Sequence, residues 1–190
     1  MAYSQKSDAR AATQETRKAR TSADLATIEQ LLAAHDWSSL INGYRVTSYV
    51  SMATEPPTGA LLTKLAVSGI SNWVPIMEKG RALAWGKFSE DLAVNNFGVA
   101  EPQADDAFEL ASVSALIIPA QRAGLDGSRL GRGAGYYDRA LAQLPSFNAG
   151  GPKRIVVVFD DEVDESVPCD EWDEPMDLIV TPTRIITATK

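Results

Sequence analysis

Thirteen residues concentrate the chemistry of this chain: Arg129–Leu141, "RLGRGAGYYDRAL", with three glycines, three arginines, two tyrosines and one aspartate. Gly131, Gly133 and Gly135 permit positive φ and close backbone approach. Arg129 and Arg132 present planar, paired donors that match phosphate oxygens. The stretch opens a helix, and a helix start offers free N–H groups and a partial positive charge to an anion. Asp138 falls in the first turn of that helix. There it either compensates the helix dipole or serves as a magnesium ligand beside phosphates. The spacing is G-x-G-x-G. It is neither the dinucleotide G-x-G-x-x-G nor a P-loop, and no acid follows a second strand about twenty residues on, so a nicotinamide oxidoreductase is a poor fit. By glycine pattern alone, a flexible connection between strand and helix fits as well as an anion cradle, and the arginines tilt the reading toward the anion.

Strands and helices alternate around this stretch. Residues 5–20 are rich in helix formers, and a second helix starts near Ser22 with Asp24 in its first turn. Residues 44–52, "YRVTSYVSM", read as a β-branched and aromatic strand. Thr58 is placed to cap a helix that Gly69 stops. "NWVPIM" and "RALAWGKF" read as short strands, the first interrupted by Pro75. "SALIIP" (114–119) and "KRIVVVF" (153–159) are apolar runs typical of buried parallel strands. Residues 135–144 read as a short helix ended by Pro145. "MDLIVTPTRII" (176–186) reads as one further strand bent at Pro182. Residues 100–109 and 160–175 read as loops. The pattern predicts an α/β fold with a largely parallel central sheet, in one domain spanning residues 1–190.

The 190 residues carry a net charge of −7, which argues against nucleic acid as a main partner. Charge is unevenly placed. Residues 1–20 and 119–141 are locally basic, while 160–177 hold ten acids and neither Lys nor Arg. No apolar run approaches a membrane span, and the first residues lack the apolar core of a signal peptide. A soluble, cytoplasmic protein is expected, with no membrane partner. The lone Cys169 has no activating base beside it in sequence, and the lone His35 reads as a helix-end residue. Trp73, Trp85 and Phe97 read as core or pocket wall.

"IIPAQRAGLDGSRLGRGAGYYDRAL" resembles the signature of the 5-formyltetrahydrofolate cyclo-ligase (5,10-methenyltetrahydrofolate synthetase) family, with near-full agreement over "GSRLGRGAGYYDR". Weaker matches follow in family order. They are Lys6 and Arg10 in an N-terminal K-x-x-x-R, Glu55 and Thr58 in E-x-x-T, Gly98, Glu101 and Pro102 in "GVAEP", and the C-terminal "VPCDEWDEPMDLIVT". The resemblance implies a three-layer α/β sandwich. It also implies conversion of 5-formyltetrahydrofolate to 5,10-methenyltetrahydrofolate with ATP and Mg2+, releasing ADP and phosphate. The formyl oxygen would attack the γ-phosphate, N10 would close on the activated carbon, and phosphate would leave. By the same resemblance, Lys6, Arg10 and Arg129, Leu130, Gly131, Arg132, Gly133, Ala134, Gly135, Tyr136 and Tyr137 would hold ATP. Glu55, with Arg132, Gly133, Ala134, Gly135 and Tyr136, would contact the folate. Arg132 and Tyr136 would act in catalysis, and Asp138 and Asp173 would bind magnesium. ATP and a reduced folate are the expected partners of a monomer or weak homodimer. Taken alone, Lys6 and Arg10 are a solvated helix face and Glu55 is ordinary turn polarity. Two positions depart from the family. Ala123 and Gly124 stand where an apolar residue and Asp are usual, with Asp126 two residues later, and Trp172 stands where His often precedes the metal aspartate. The first departure motivates an alternative, a non-catalytic nucleotide- or folate-binding protein on the same fold.

Overall fold

The computed structural model describes residues 2–76, 82–89, 93–94, 100–105 and 107–189. Helix α1 (Ala2–Lys18) is followed by α2 (Ser22–Ala34), which opens on a reciprocal capping box between Thr21 and Asp24. The chain continues through α3 (Trp37–Ile41), strand β1 (Arg45–Thr47), α4 (Gly59–Val67), β2 (Ser71–Ile76) and β3 (Ala84–Lys87). The short strands β4 (Ala93–Val94) and β5 (Ala100–Glu101) form a separate ladder. Next come β6 (Ala115–Pro119), β7 (Arg122–Gly124), β8 (Arg129–Leu130) and α5 (Tyr136–Leu141). The chain finishes through β9 (Lys153–Val157), β10 (Val163–Asp164), β11 (Leu178–Val180) and β12 (Ile185–Thr187).

Among the described residues the main sheet runs β12-β11-β9-β6-β1-β2-β3. It is parallel from β11 through β2, and only β12 and β3 pair antiparallel at its edges. The apolar runs of β6 and β9 alternate between the two faces. Ala115, Ile117, Ile155 and Val157 join a core with Leu32, Trp37, Leu61 and Leu65 of α2, α3 and α4. Leu116, Ile118, Val156 and Val158 join Leu141 of α5, Ala123 of β7 and Met176 on the other face. Burial on both faces explains why these strands read as continuous apolar runs. The result is the expected three-layer α/β arrangement. No described helix is long and apolar enough to cross a membrane.

Several boundaries differ from expectation, each for a local reason. The strand expected over 44–52 ends at Thr47. Beyond it Ser51 and Thr58 exchange backbone-to-hydroxyl bonds, and the Thr58 hydroxyl donates to the Tyr49 carbonyl at 2.8 Å, which draws the chain off the ladder. Thr58 therefore does not cap α4 with its side chain; Glu29 of α2 instead accepts from Ala60 N at 2.9 Å. Pro75 does not break β2, which continues to Ile76, because β1 ends opposite Trp73 and leaves the proline facing no partner on that side. Residues 176–186 are not one bent strand but the hairpin β11–β12. Its turn at Pro182 is closed by Thr181 N donating to Arg184 O and Arg184 N donating to the Thr181 hydroxyl. Helix α5 stops at Leu141, short of Pro145, and the Leu141 and Leu144 carbonyls are taken by the buried Arg154 guanidinium. The supposed loops contain β5, a 3-10 turn at Asp160–Glu162, and β10. Trp73 and Trp85 are core residues around Phe108, while Phe97 and Gly98 lie outside the described residues.

Candidate active site

The parallel strands β1, β2 and β6 end together on one side of the sheet, where open α/β sheets form ligand crevices. A cavity of about 690 Å3 lies there. Pro119 and Ala120, at the end of β6, form its floor side, and Tyr49, Val50, Met52 and Glu55 form the wall that follows β1. Helix α1 contributes Lys6 and Arg10, the 129–139 stretch wraps round, and Asp170, Trp172 and Asp173 close it from the acidic C-terminal segment. The residues that the resemblance assigns to ATP, folate or magnesium all line this one cavity: Lys6, Arg10, Glu55, Arg129 through Asp138, and Asp173.

The glycines divide their work. Gly133 and Gly135 have φ of 99° and 65°, which favours glycine at both. Gly131 does not use the positive φ open to it. At Gly133 an added Cβ would lie 3.3 Å from Cζ of Arg10, so this glycine is where α1 and the loop approach. Arg10 also donates from Nε to the Gly131 carbonyl at 2.9 Å. Gly135 caps α5 and places Asp138 in its first turn.

The cavity cations meet cavity carboxylates. Lys6 Nζ donates to Asp170 at 2.6 Å and to Asp173 at 2.5 Å. Burial alone would lower the lysine's pKa, but these two bonds outweigh it and raise it. Asp173 is affected the opposite way: burial raises its pKa, and the bond from Lys6 and the Asp170 backbone N–H more than offset this and lower it. Arg129 pairs with Asp138. Arg132 reaches Glu55 at 3.3 Å and also contacts the Met52 sulfur. The second Glu55 oxygen accepts from Met52 N at 2.9 Å.

Two buried polar atoms in the lining have no hydrogen-bond partner among the described residues: Nε of Arg129 and the hydroxyl of Tyr137. Unpaired buried donors are costly unless something fills the space beside them. Burial, and then the charge of Glu55, push the Tyr137 phenol far above its ordinary pKa, so it is a neutral donor at any working pH. Sequence reasoning passed over Asp170, which shares Lys6 with Asp173; its spacing three residues before Asp173 is the available signal. It also passed over Met52, Tyr49 and Arg139, whose types carry no signal of their own. The Arg139 guanidinium lies 5.2 Å over the Tyr136 ring and donates to Ala134 O.

No described group of three or more His, Cys, Asp or Glu side chains forms a ready metal cage. Asp138 and Asp173 nevertheless line the same cavity. A pair of carboxylates beside a phosphate site fits magnesium, which keeps several waters and takes one or two protein oxygens plus phosphate oxygens. The orphan Arg129 Nε and the glycine cradle fit a polyphosphate.

A model of the 5-formyltetrahydrofolate cyclo-ligase family matches residues 2–182. A 5-formyltetrahydrofolate cyclo-ligase of Mycolicibacterium smegmatis is 34% identical over 158 residues, covering 79% of each chain. One from Escherichia coli K12 is 28% identical over 153 residues, covering 77% of this chain and 82% of that one. The solution structure of Aquifex aeolicus 5,10-methenyltetrahydrofolate synthetase superposes with a TM-score of 0.81 at 22% identity, over 97% of this chain and 93% of that one. A Mycoplasma pneumoniae 5,10-methenyltetrahydrofolate synthetase gives 0.71 at 19% identity, over 93% and 98%. The two structural likenesses speak for the fold, and the sequence matches for the lineage: the chain belongs to the 5-formyltetrahydrofolate cyclo-ligase family.

Proposed function

We propose that the chain converts 5-formyltetrahydrofolate to 5,10-methenyltetrahydrofolate at the expense of magnesium ATP, releasing ADP and phosphate. The observation that carries this reading is the convergence of the fourteen residues that the resemblance assigns to ligands on one cavity at the carboxyl ends of the strands. When bound, magnesium ATP supplies the phosphoryl group that activates the formyl oxygen. Lys6, Arg10, Arg129 and Arg132 then neutralise phosphate charge, and Asp138 and Asp173 hold the metal. Such chemistry depends on position and charge more than on covalent catalysis. The Tyr137 hydroxyl donates one hydrogen bond into the cavity without releasing its proton. Glu55 faces the 2-amino-pyrimidinone edge of the folate, whose paired donors suit a carboxylate. Arg132, with its side chain 47% exposed, is the partner that must release Glu55.

The departure at Ala123 and Gly124 does not weaken the reading. Neither residue lines the cavity; both belong to β7, in the hairpin before the loop. The protein is taken to work in the cytoplasm as one domain, as a monomer or weak homodimer.

The test is an absorbance assay for the methenyl product with 5-formyltetrahydrofolate, ATP and magnesium, with and without chelator. Product that needs all three, and its loss in Arg132→Ala and Asp138→Ala, is expected. Tight ligand binding with no folate-dependent ADP release would favour a binding protein instead. Full turnover by Asp138→Ala would remove that residue from the metal site.

A further inference from the structure

Four tryptophans occur in the chain, and one does not behave like the others. Trp37, Trp73 and Trp85 are 1%, 6% and 8% exposed, whereas Trp172 is 65% exposed and still lines the cavity. Its backbone is held in place. Asp173 N donates to Asp170 O at 3.0 Å, closing a turn, and Asp170 N donates to an Asp173 carboxylate oxygen at 2.8 Å, locking it. Lys6 fastens both aspartates to α1. Trp172 is the third residue of this turn. An indole in water on a fixed turn at a cavity mouth is a flat apolar surface awaiting a flat partner.

Resting on the reading above, we infer that Trp172 is the stacking platform for the purine base of the nucleotide, and so a specificity-determining residue of the nucleotide site. The two planar ligands approach the reacting phosphate from different ends. The folate ring needs the paired acceptor of Glu55, which stands with Met52 and Arg132 on the wall after β1. Trp172 stands with Lys6, Asp170 and Asp173 on the α1 side, next to the residues that would take phosphates and metal. A base hangs from the far end of the triphosphate, away from the reacting phosphate. The exposed rim is where it emerges.

The test uses the full chain with magnesium and two probes: the β,γ-imido analogue of ATP, and tripolyphosphate, which has the charge and no base. In the wild type, the analogue is expected to shield tryptophan fluorescence from acrylamide, because Trp172 is the indole that solvent reaches. Tripolyphosphate is expected to leave it open. By calorimetry, Trp172→Ala should weaken the analogue about tenfold, the loss of one base–aromatic stack, and tripolyphosphate less than twofold. Trp172→Phe should stay close to wild type for both. Equal weakening of both probes by Trp172→Ala would overturn the inference, since it would assign Trp172 to the turn and not to the base. So would loss of 5-formyltetrahydrofolate binding with nucleotide affinity intact. A wild-type chain that binds neither polyphosphate probe would instead bring down the proposed function itself, and this inference with it.

Discussion

Lys6 and Asp173 lie 167 residues apart in the chain and 2.5 Å apart in the fold. The contact joins the basic N-terminal helix to the acidic C-terminal segment across the mouth of the cavity. It also means that a candidate phosphate-binding cation and a candidate metal ligand neutralise one another. Arg129 with Asp138 repeats the arrangement. A ligand that draws either charge toward itself weakens the pair it leaves.

Metal and triphosphate should therefore bind as a pair. A cation that moves to phosphate strands a carboxylate, and a metal that takes the carboxylate removes the cost. Magnesium is expected to raise the affinity for the imido analogue of ATP by about tenfold or more, and the analogue to raise the affinity for Mn2+ by the same factor. Calorimetry for the nucleotide and paramagnetic resonance for Mn2+ measure the two sides. Independent binding would refute the exchange of partners.

Arg17 and Glu162 make a further link between α1 and the body of the fold. Arg17 donates from Nε and Nη2 to the carboxylate at 2.7 and 2.8 Å, and from Nη2 to the Ala120 carbonyl at 2.6 Å. Glu162 also accepts from Phe159 N at 3.0 Å. Both side chains are almost wholly buried. Arg17→Ala strands a buried carboxylate and should cost about 3–5 kcal/mol in urea unfolding. The double variant Arg17→Met with Glu162→Gln should recover part of that loss.

Restoring the family aspartate should harm this protein. Gly124 sits in β7, where an added Cβ would lie 2.3 Å from the Ser128 hydroxyl, 2.4 Å from Asp126 and 2.8 Å from the backbone of Ser166. Asp126 already closes this hairpin by accepting from Ser128 N at 2.9 Å and from its hydroxyl at 2.5 Å. Gly124→Asp is expected to lower stability by about 1–3 kcal/mol through overpacking, with no gain in turnover. A more active and equally stable variant would show that the site lacks this residue.

Acid should loosen the β11–β12 hairpin through Asp160. Burial raises the pKa of this carboxyl, but the hydroxyls of Thr181 and Thr183 outweigh it and hold the value below the usual range. A depressed folded pKa means that the stabilisation is fully present above the unfolded value of about 3.9 and is lost as pH falls through the folded one. The gap in thermal midpoint between the wild type and Asp160→Asn should hold constant above about pH 5 and close below pH 4. A gap that persists into acid would refute the assignment.

The sequence by itself determined the architecture and pointed to part of the cavity lining. Apolar runs at 114–119 and 153–159 fit the inside of a sheet covered on both faces, and three glycines with flanking arginines tilt a strand-to-helix connection toward an anion. What only the tertiary structure decided was which charge faces which. Lys6 and Arg10 read as a solvated face because helical spacing says nothing of a partner 121 or 167 residues away. Asp173 was one acid among ten, and proximity to Lys6 is what distinguishes it and Asp170. The side chain of Thr58 was spent on Tyr49 instead of its own helix, a choice made by the loop that carries Glu55 into the cavity. The departure at Ala123 and Gly124 looked like a missing aspartate in one dimension. In three it is a tight hairpin, because packing between β7, Ser128 and Ser166 leaves no room for a side chain at Gly124. Local pattern sets elements, since periodicity and caps act within a few residues. Ion pairs and close approaches span the chain, and only the packed fold brings them within reach.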